Sequence, residues 1–138
     1  MNIILLYLSF FTSILSTDNP QLTIHISNIK ILKGELIIGV FEKEATFLKD
    51  GEAFKNYTIV VDKATETIII KDLPKGEYAV SLYHDENSDG ECNRNMLGIP
   101  KEGYGFSNNI KPKFSAPSYQ DCKFQFDNNK VLDIILRN

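Results

Sequence analysis

The sequence predicts an all-β protein, a single antiparallel β-sandwich. Its 138 residues are the length of one domain. Short apolar segments alternate with polar residues in the two-residue period of half-buried strands, and clusters of Gly, Pro, Asn and Asp separate them. About seven such segments occur, which favours a sandwich or barrel. No helical pattern long enough to serve as a βαβ crossover lies between them.

Each predicted strand has a pattern of its own. In the first, Leu22, Ile24 and Ile26 alternate with polar residues. The second, residues 35–42, contains a continuous apolar run, which is typical of a central strand covered on both faces. Residues 43–56 mix apolar and charged side chains and are predicted to form a loop with a helical turn. Further strands, most of them rich in Ile, Val, Thr or aromatic residues, are predicted at 57–62, 67–71, 78–83, 122–126 and 131–136.

Residues 1–16 are predicted to be a signal peptide. They are apolar, contain no charged side chain, and are followed by polar residues. The apolar stretch is shorter than the roughly 20 residues that cross a bilayer, so no membrane span is expected in the mature chain. We therefore expect an exported domain at residues 17–138, in the periplasm, at the cell surface or secreted. A buried first strand or helix is the alternative.

Composition excludes several classes of protein. With 43% hydrophobic and 24% charged residues, the chain is neither disordered nor collagen-like nor a coiled coil. The formal net charge is −3, whereas a nucleic-acid-binding protein would carry a basic stripe. Nucleic acid is therefore not an expected partner.

Two cysteines, Cys92 and Cys122, are a candidate disulfide. An exported protein meets an oxidising environment, which favours a bond between them. It would close a loop of about 30 residues and stabilise the fold by roughly 3–4 kcal/mol. Two independent thiols are the alternative, because the sequence does not show whether the two Cα atoms lie within about 7 Å.

Residues 85–118 form a polar loop far longer than an ordinary connection, and such loops are usually functional or disordered. Its first part has the spacing D-x-[DN]-x-[DN]-G of the first half of a calcium loop. Calcium takes roughly six to eight oxygen ligands at about 2.3–2.6 Å, and a tight glycine turn wraps them around one point. The candidate ligands are Asp85, Asn87, Asp89, Glu91 and Asn93.

The second half of that calcium pattern is missing. Met96 stands where a bidentate Glu would close the site, so another ligand is needed, and Glu102 is a candidate. The alternative is an Asx-turn loop, in which Asp and Asn side chains bond their own backbone. Calcium is therefore the one cofactor that the sequence suggests.

The second part of the loop carries candidate binding residues. Tyr104 and Phe106 are either a ligand platform or a cover for one end of the sandwich. Glu102 and Asn108 lie in the same segment. Loops held on a rigid scaffold are where binding residues concentrate, so these four are predicted to contribute to a binding face.

Three segments resemble the DUF2141 family of exported bacterial proteins: LPKGEYAV at 73–80, HDEN at 84–87 and LGIPKEGYGFSNN at 97–109. The resemblance extends over nearly the whole mature chain. It implies a prealbumin-like sandwich, similar to carboxypeptidase regulatory and collagen-adhesin B-type domains, and it implies no established activity. The family often has Asp where this chain has Asn93, which removes one charge from any metal site. The family rarely has Cys at position 92, so a disulfide would be a local feature of this protein.

The functional prediction is an exported, non-catalytic module that binds a protein, a glycan or a component of the cell envelope. No catalytic residue is assigned, because a nucleophile needs a base and an orienting group within hydrogen-bond reach. His84 and Asp85 are consecutive, and consecutive residues of a strand point to opposite faces. A hydrolase of an envelope polymer and a purely structural accessory domain are the alternatives.

Overall fold

The computed structural model describes residues 19–138, so the predicted signal peptide at 1–16 lies outside the described residues. Apart from two short 3-10 turns, the elements are β1 Leu22–Ser27, β2 Glu35–Phe41, β3 Lys55–Val60, β4 Glu66–Ile70, β5 Gly76–Asp85, β6 Tyr104–Phe106, α1 Tyr119–Cys122, β7 Phe124–Phe126 and β8 Lys130–Ile135. The predicted all-β class is confirmed. None of the described helices combines the length and the apolar character that crossing a membrane requires.

The strands form two sheets. The first has the order β4-β1-β8, and the second has the order β3-β2-β5-β6. The long strand β5 pairs with β6 along its second half and with the short β7 along its first half. Strand β2 lies between β3 and β5, as its apolar run predicts for a central strand.

The structure adds two details to the predicted sandwich. The pair β1–β8 is parallel, whereas the other strand pairs of the described sheets are antiparallel. The two strands come from opposite ends of the domain, so no tight hairpin constrains their direction. The described chain contains eight strands, in line with the prediction of about seven. The additional strand is β6, which has three residues and lies inside the predicted 85–118 loop.

The core lies between the sheets and is built from alternate residues of the strands. Leu22, Ile24 and Ile26 of β1 are fully buried there, opposite the inner face of the second sheet. The sheets approach closely at β6 and β8, where a Cβ on Gly105 would lie 2.6 Å from the Cγ2 of Ile134. A glycine at this position therefore allows the short strand to close the sandwich.

A second, smaller apolar cluster covers part of the outer face of the second sheet. Ala79 of β5 and Phe106 of β6 are buried there beneath Tyr119 and Cys122 of α1. The short helix begins with a capping box, in which the side chains of Ser118 and Asp121 bond each other's backbone N–H. The cluster covers one end of this face and leaves the other end to the loops.

The candidate disulfide between Cys92 and Cys122 is not formed in this structure, in which both cysteines are free thiols. Cys122 belongs to α1, not to the strand predicted at 122–126, and its side chain is enclosed in the apolar cluster of the outer face. Cys92 lies half-buried in the loop that follows β5. The two thiols thus belong to separate environments.

Those environments predict unequal reactivity of the two thiols. Burial raises the pKa of Cys122 to about 11, and burial also raises the pKa of Cys92. The thiolate is the reactive form, so at pH 8 Ellman's reagent is expected to label Cys92 of the native protein slowly and Cys122 far more slowly. Urea should bring both to the same fast rate. Equal native rates for single-cysteine variants Cys92→Ser and Cys122→Ser would contradict this assignment.

Candidate functional site

A broad groove lies on the outer face of the second sheet, beside the small apolar cluster. Its volume is about 1230 Å³, and its floor is formed by side chains of β2, β3, β5 and β6. Loop segments within 48–53, 90–100 and 112–116 form its walls. The sheet thus supplies the floor of the groove, and the loops supply its sides.

One row across the groove floor is small or polar. Cross-strand pairing aligns Asn56 with Gly39, Gly39 with Ser81, and Ser81 with Phe106. A Cβ on Gly39 would lie 3.0 Å from the ring of Phe41. Because Gly39 has no side chain, the ring of Phe41 keeps its position, and the middle of the groove floor stays deep.

The next row along the same floor is aromatic. Tyr83 of β5 pairs directly with Tyr104 of β6, so both side chains project from the outer face on neighbouring strands. The hydroxyl of Tyr83 donates to the carbonyl of Gly90 at 3.2 Å, which ties the floor to the neighbouring wall. Partial burial, followed by the negative charge of Asp85, raises the pKa of Tyr83. The floor thus offers two aromatic side chains beside a shallow polar row.

The walls of the groove expose apolar side chains to solvent. Leu97 is 83% exposed and Phe114 is fully exposed. Charged residues on the same walls include Lys49, Asp50 and Arg94. Exposed apolar groups rimmed by polar residues mark binding surfaces more often than inert ones.

The turn after β5 is built around the carboxylate of Asp85, which is 1% exposed. Its two oxygens accept backbone N–H groups, from Asp89 at 3.2 Å and from Gly90 at 2.8 Å. Positive φ angles at Ser88 and Gly90 allow the chain to reverse there. These are the hydrogen bonds of the Asx-turn alternative, in which an acidic side chain orders its own loop.

Side-chain contacts add a second layer to this turn. Nδ2 of Asn93 donates to Oδ2 of Asp89 at 3.0 Å and to Oε1 of Glu102 at 3.3 Å. Nδ2 of Asn87 donates to the same Asp89 oxygen at 3.0 Å. The backbone N–H of Glu91, and then Asn93, lower the pKa of the Asp89 carboxyl. Two neutral amides therefore surround one ionised carboxylate oxygen.

The structure brings most of the predicted calcium ligands together. The side chains of Asp85, Asn87, Asp89 and Asn93 share the turn with Glu102, whereas Glu91 is seen there only through its backbone N–H. Within residues 19–138, no group of three or more His, Cys, Asp or Glu side chains is arranged to hold a metal ion as it stands.

The four predicted binding residues are not in one place. Tyr104 and Phe106 line the groove, and Phe106 also covers the apolar cluster. Glu102 is buried under the turn. Asn108 has a structural contact, because its Nδ2 donates to the carbonyls of Asp121 and Lys123.

Other groove residues were missed at the level of sequence, namely Gly39, Asn56, Ser81 and Tyr83. Alternation along β5 places Ser81 and Tyr83 on the face that points away from the core. Only the pairing of β5 with β2 and β6 brings them next to Gly39 and Tyr104.

His84 lies away from the groove. Its ring is completely buried, and Nε2 donates to the carbonyl of Lys33 at 2.6 Å. Asp85 follows on the opposite face of β5, as consecutive strand residues do. His84 and Asp85 are therefore not exposed together on one face, where a polymer could contact both side chains.

Comparison with known proteins gives one match. The model of a family described as uncharacterised protein conserved in bacteria, DUF2141, matches residues 24–133. No curated protein and no solved structure matches the chain significantly.

Proposed function

The chain belongs to the DUF2141 family, and we propose that it is an exported, non-catalytic module that binds a segment of glycan in the groove on the second sheet. The signal-like residues 1–16 support export. The glycan is the occupant that the floor of the groove fits best among a protein, a glycan and other envelope components.

The pair Tyr83–Tyr104 is the observation that carries this proposal. A sugar ring has an apolar C–H face that packs flat on an aromatic ring, and it has hydroxyl groups around its edge. Aromatic side chains supply a large apolar surface with little conformational freedom to lose. The neighbouring Asn56 and Ser81 offer hydrogen-bonding groups for the hydroxyls, as specific ligand sites require.

Binding rather than hydrolysis is proposed because of the residue types on the floor. Glycoside hydrolysis uses two carboxyl groups about 5–9.5 Å apart on either side of the bond. The floor rows consist of aromatic, apolar, amide and hydroxyl residues: Ile37, Gly39, Asn56, Ser81, Tyr83, Tyr104 and Phe106. They can hold and orient a sugar but provide no acid–base pair.

Calorimetric titration with N-acetylglucosamine tetramer, together with an array of bacterial surface polysaccharides, tests the proposal. At least one probe is expected to bind with a Kd below about 1 mM. Tyr83→Ala and Tyr104→Ala should each weaken that binding by about tenfold or more, since each removes a stacking surface worth roughly 1.4 kcal/mol.

Tyr83→Phe is the matched control, because it keeps the ring and removes only the hydroxyl that bonds Gly90. Most of the affinity should survive in this variant. If no glycan binds, or if binding is unchanged in both alanine variants, the proposal fails. Binding of an unstructured peptide library in place of every glycan would favour a protein partner.

A further inference from the structure

We propose that the turn at residues 85–93, together with Glu102, binds one Ca²⁺ ion. The site would use carboxylate oxygens of Asp85, Asp89 and Glu102 and the amide oxygens of Asn87 and Asn93. Glu102, from a later part of the loop, would supply the closing carboxylate that Met96 cannot provide.

The orphaned oxygen of Glu102 is the observation that points to a ligand. This residue is 7% exposed, and its Oε1 accepts hydrogen bonds from the backbone of Glu86 and from Asn93, both at 3.3 Å. Its other oxygen, Oε2, is buried without any hydrogen-bond partner. Buried polar atoms are nearly always satisfied, and an exception often marks an ion or water site. Because Oε1 contacts the turn, the unsatisfied oxygen belongs to a carboxylate held against the same turn.

The negative charge of the turn also has no cationic side chain paired with it among the described residues. Asp85 and Glu102 are buried, and Asp89 is held next to them. No ion pair found within residues 19–138 includes any of these three carboxylates. Burying a carboxylate is costly unless a cation or several hydrogen bonds compensate it. A divalent cation would offset two of these three negative charges.

The side-chain amides stand where such a cation would bind. Nδ2 of Asn93 bridges Asp89 and Glu102, and Nδ2 of Asn87 approaches the same oxygen of Asp89. Rotating an amide by half a turn exchanges its nitrogen for its oxygen with almost no change of shape. Both amides would then turn their oxygens inward, and the ion would replace their N–H groups as the bridge between the carboxylates.

Calcium suits these donors better than other common cations do. All of them are hard oxygen ligands, which zinc and copper do not favour. A turn of mixed carboxylates and amides meets the tolerant geometry of Ca²⁺, whereas Mg²⁺ demands a regular octahedron and retains its water.

The ion would also fix one wall of the groove. The carbonyl of Gly90 accepts a hydrogen bond from the hydroxyl of Tyr83 on the groove floor, and Glu91, Cys92 and Arg94 line the same wall. Calcium is therefore expected to favour glycan binding, and this one consequence rests on the proposed function. The metal site itself does not depend on it.

Calorimetry and Tb³⁺ luminescence measure the site without any glycan. The chain contains no tryptophan, so sensitised emission must come from tyrosine, chiefly Tyr83 beside the turn. We expect Tb³⁺ emission that Ca²⁺ displaces, and a melting temperature higher by about 5 °C in millimolar Ca²⁺ than in EDTA. Glu102→Gln should lose at least tenfold in calcium affinity, while the matched control Glu91→Gln, in the same turn, should keep it.

Asn93→Asp distinguishes the metal site from a purely structural turn. It removes the amide bridge and adds a third charge beside Asp89 and Glu102, so it should lower the melting temperature in EDTA. Calcium should restore that loss and bind more tightly than in the wild type. A purely structural turn would stay destabilised with or without calcium.

Absence of any calcium response up to 10 mM, or an unchanged affinity in Glu102→Gln, would overturn the metal site. Calcium binding with no glycan binding would sink the proposed function and leave the metal site standing. Glycan binding together with a failure to bind calcium would overturn the metal site and leave the proposed function standing.

Discussion

Gly34→Ala is expected to destabilise the domain by about 2–5 kcal/mol, because two costs add at this position. The φ angle of Gly34 is +73°, and a left-handed conformation costs a residue with a Cβ roughly 1–2 kcal/mol. The added Cβ would also lie 2.1 Å from the carbonyl oxygen of Asp85 and 2.9 Å from the Cα of Glu86. Overpacking against atoms that cannot move typically costs a further 1–3 kcal/mol or so. These are backbone atoms at the end of β5, where Glu35 pairs with Asp85, so they cannot rotate aside.

Gly51→Ala separates the two costs. Its φ is +72°, and a Cβ there would have no atom within 4 Å. It should therefore lose only about 1–2 kcal/mol for backbone conformation. Urea unfolding of both variants, followed by circular dichroism, gives the difference that the clash causes. Equal losses would contradict the close approach of residues 34 and 85.

The same contact links the fold to the turn. Gly34 touches the backbone at the first residue of the 85–93 turn, and the side chain of Asp85 orders the rest of it. A displaced backbone at this point would misplace the carboxylate. Gly34→Ala is therefore expected to weaken the calcium response as well as the global stability, whereas Gly51→Ala should leave that response unchanged.

Strand positions could be predicted from sequence because their cause is local. Leu22, Ile24 and Ile26 alternate with polar neighbours, and the same two-residue period puts them on the core face of β1. The central position of β2 likewise follows from its apolar run. Even the oxygen-rich turn after β5 could be located, because Asp, Asn and Gly favour turns through their own chemistry.

Pairing between distant segments could not be predicted in this way. Tyr83 and Tyr104 are neighbours only because β6 pairs with β5, and β6 is too short and too glycine-rich to give a strand pattern. Register depends on the whole buried face of a sheet rather than on one segment. The helix at Cys122 was missed for a related reason. Cys122 also fits a two-residue alternation with Phe124 and Phe126, which favours a strand, and the capping box of Ser118 and Asp121 is the sequence feature that favours a helix.

Phe126→Ala is expected to produce the other large effect, a loss of about 3–5 kcal/mol. The ring is 0% exposed and packs at a steep angle on Tyr78, with 6.3 Å between the ring centroids. It lies on β7, which has only three residues, so little backbone pairing compensates for a cavity. Domains of this kind have a total stability of about 5–15 kcal/mol, so the variant should unfold at a much lower urea concentration.

Phe114→Ala is the counterpart on the surface. The same ring is removed, but Phe114 is fully exposed, so unfolding should change by less than about 0.5 kcal/mol. Because Phe114 lines the groove, this variant should instead weaken glycan binding. Comparable destabilisation of both variants would place Phe114 in a packed core, and the groove would then lack an open wall. A stable Phe114→Ala protein with reduced affinity would show that the exposed ring serves the ligand rather than the fold.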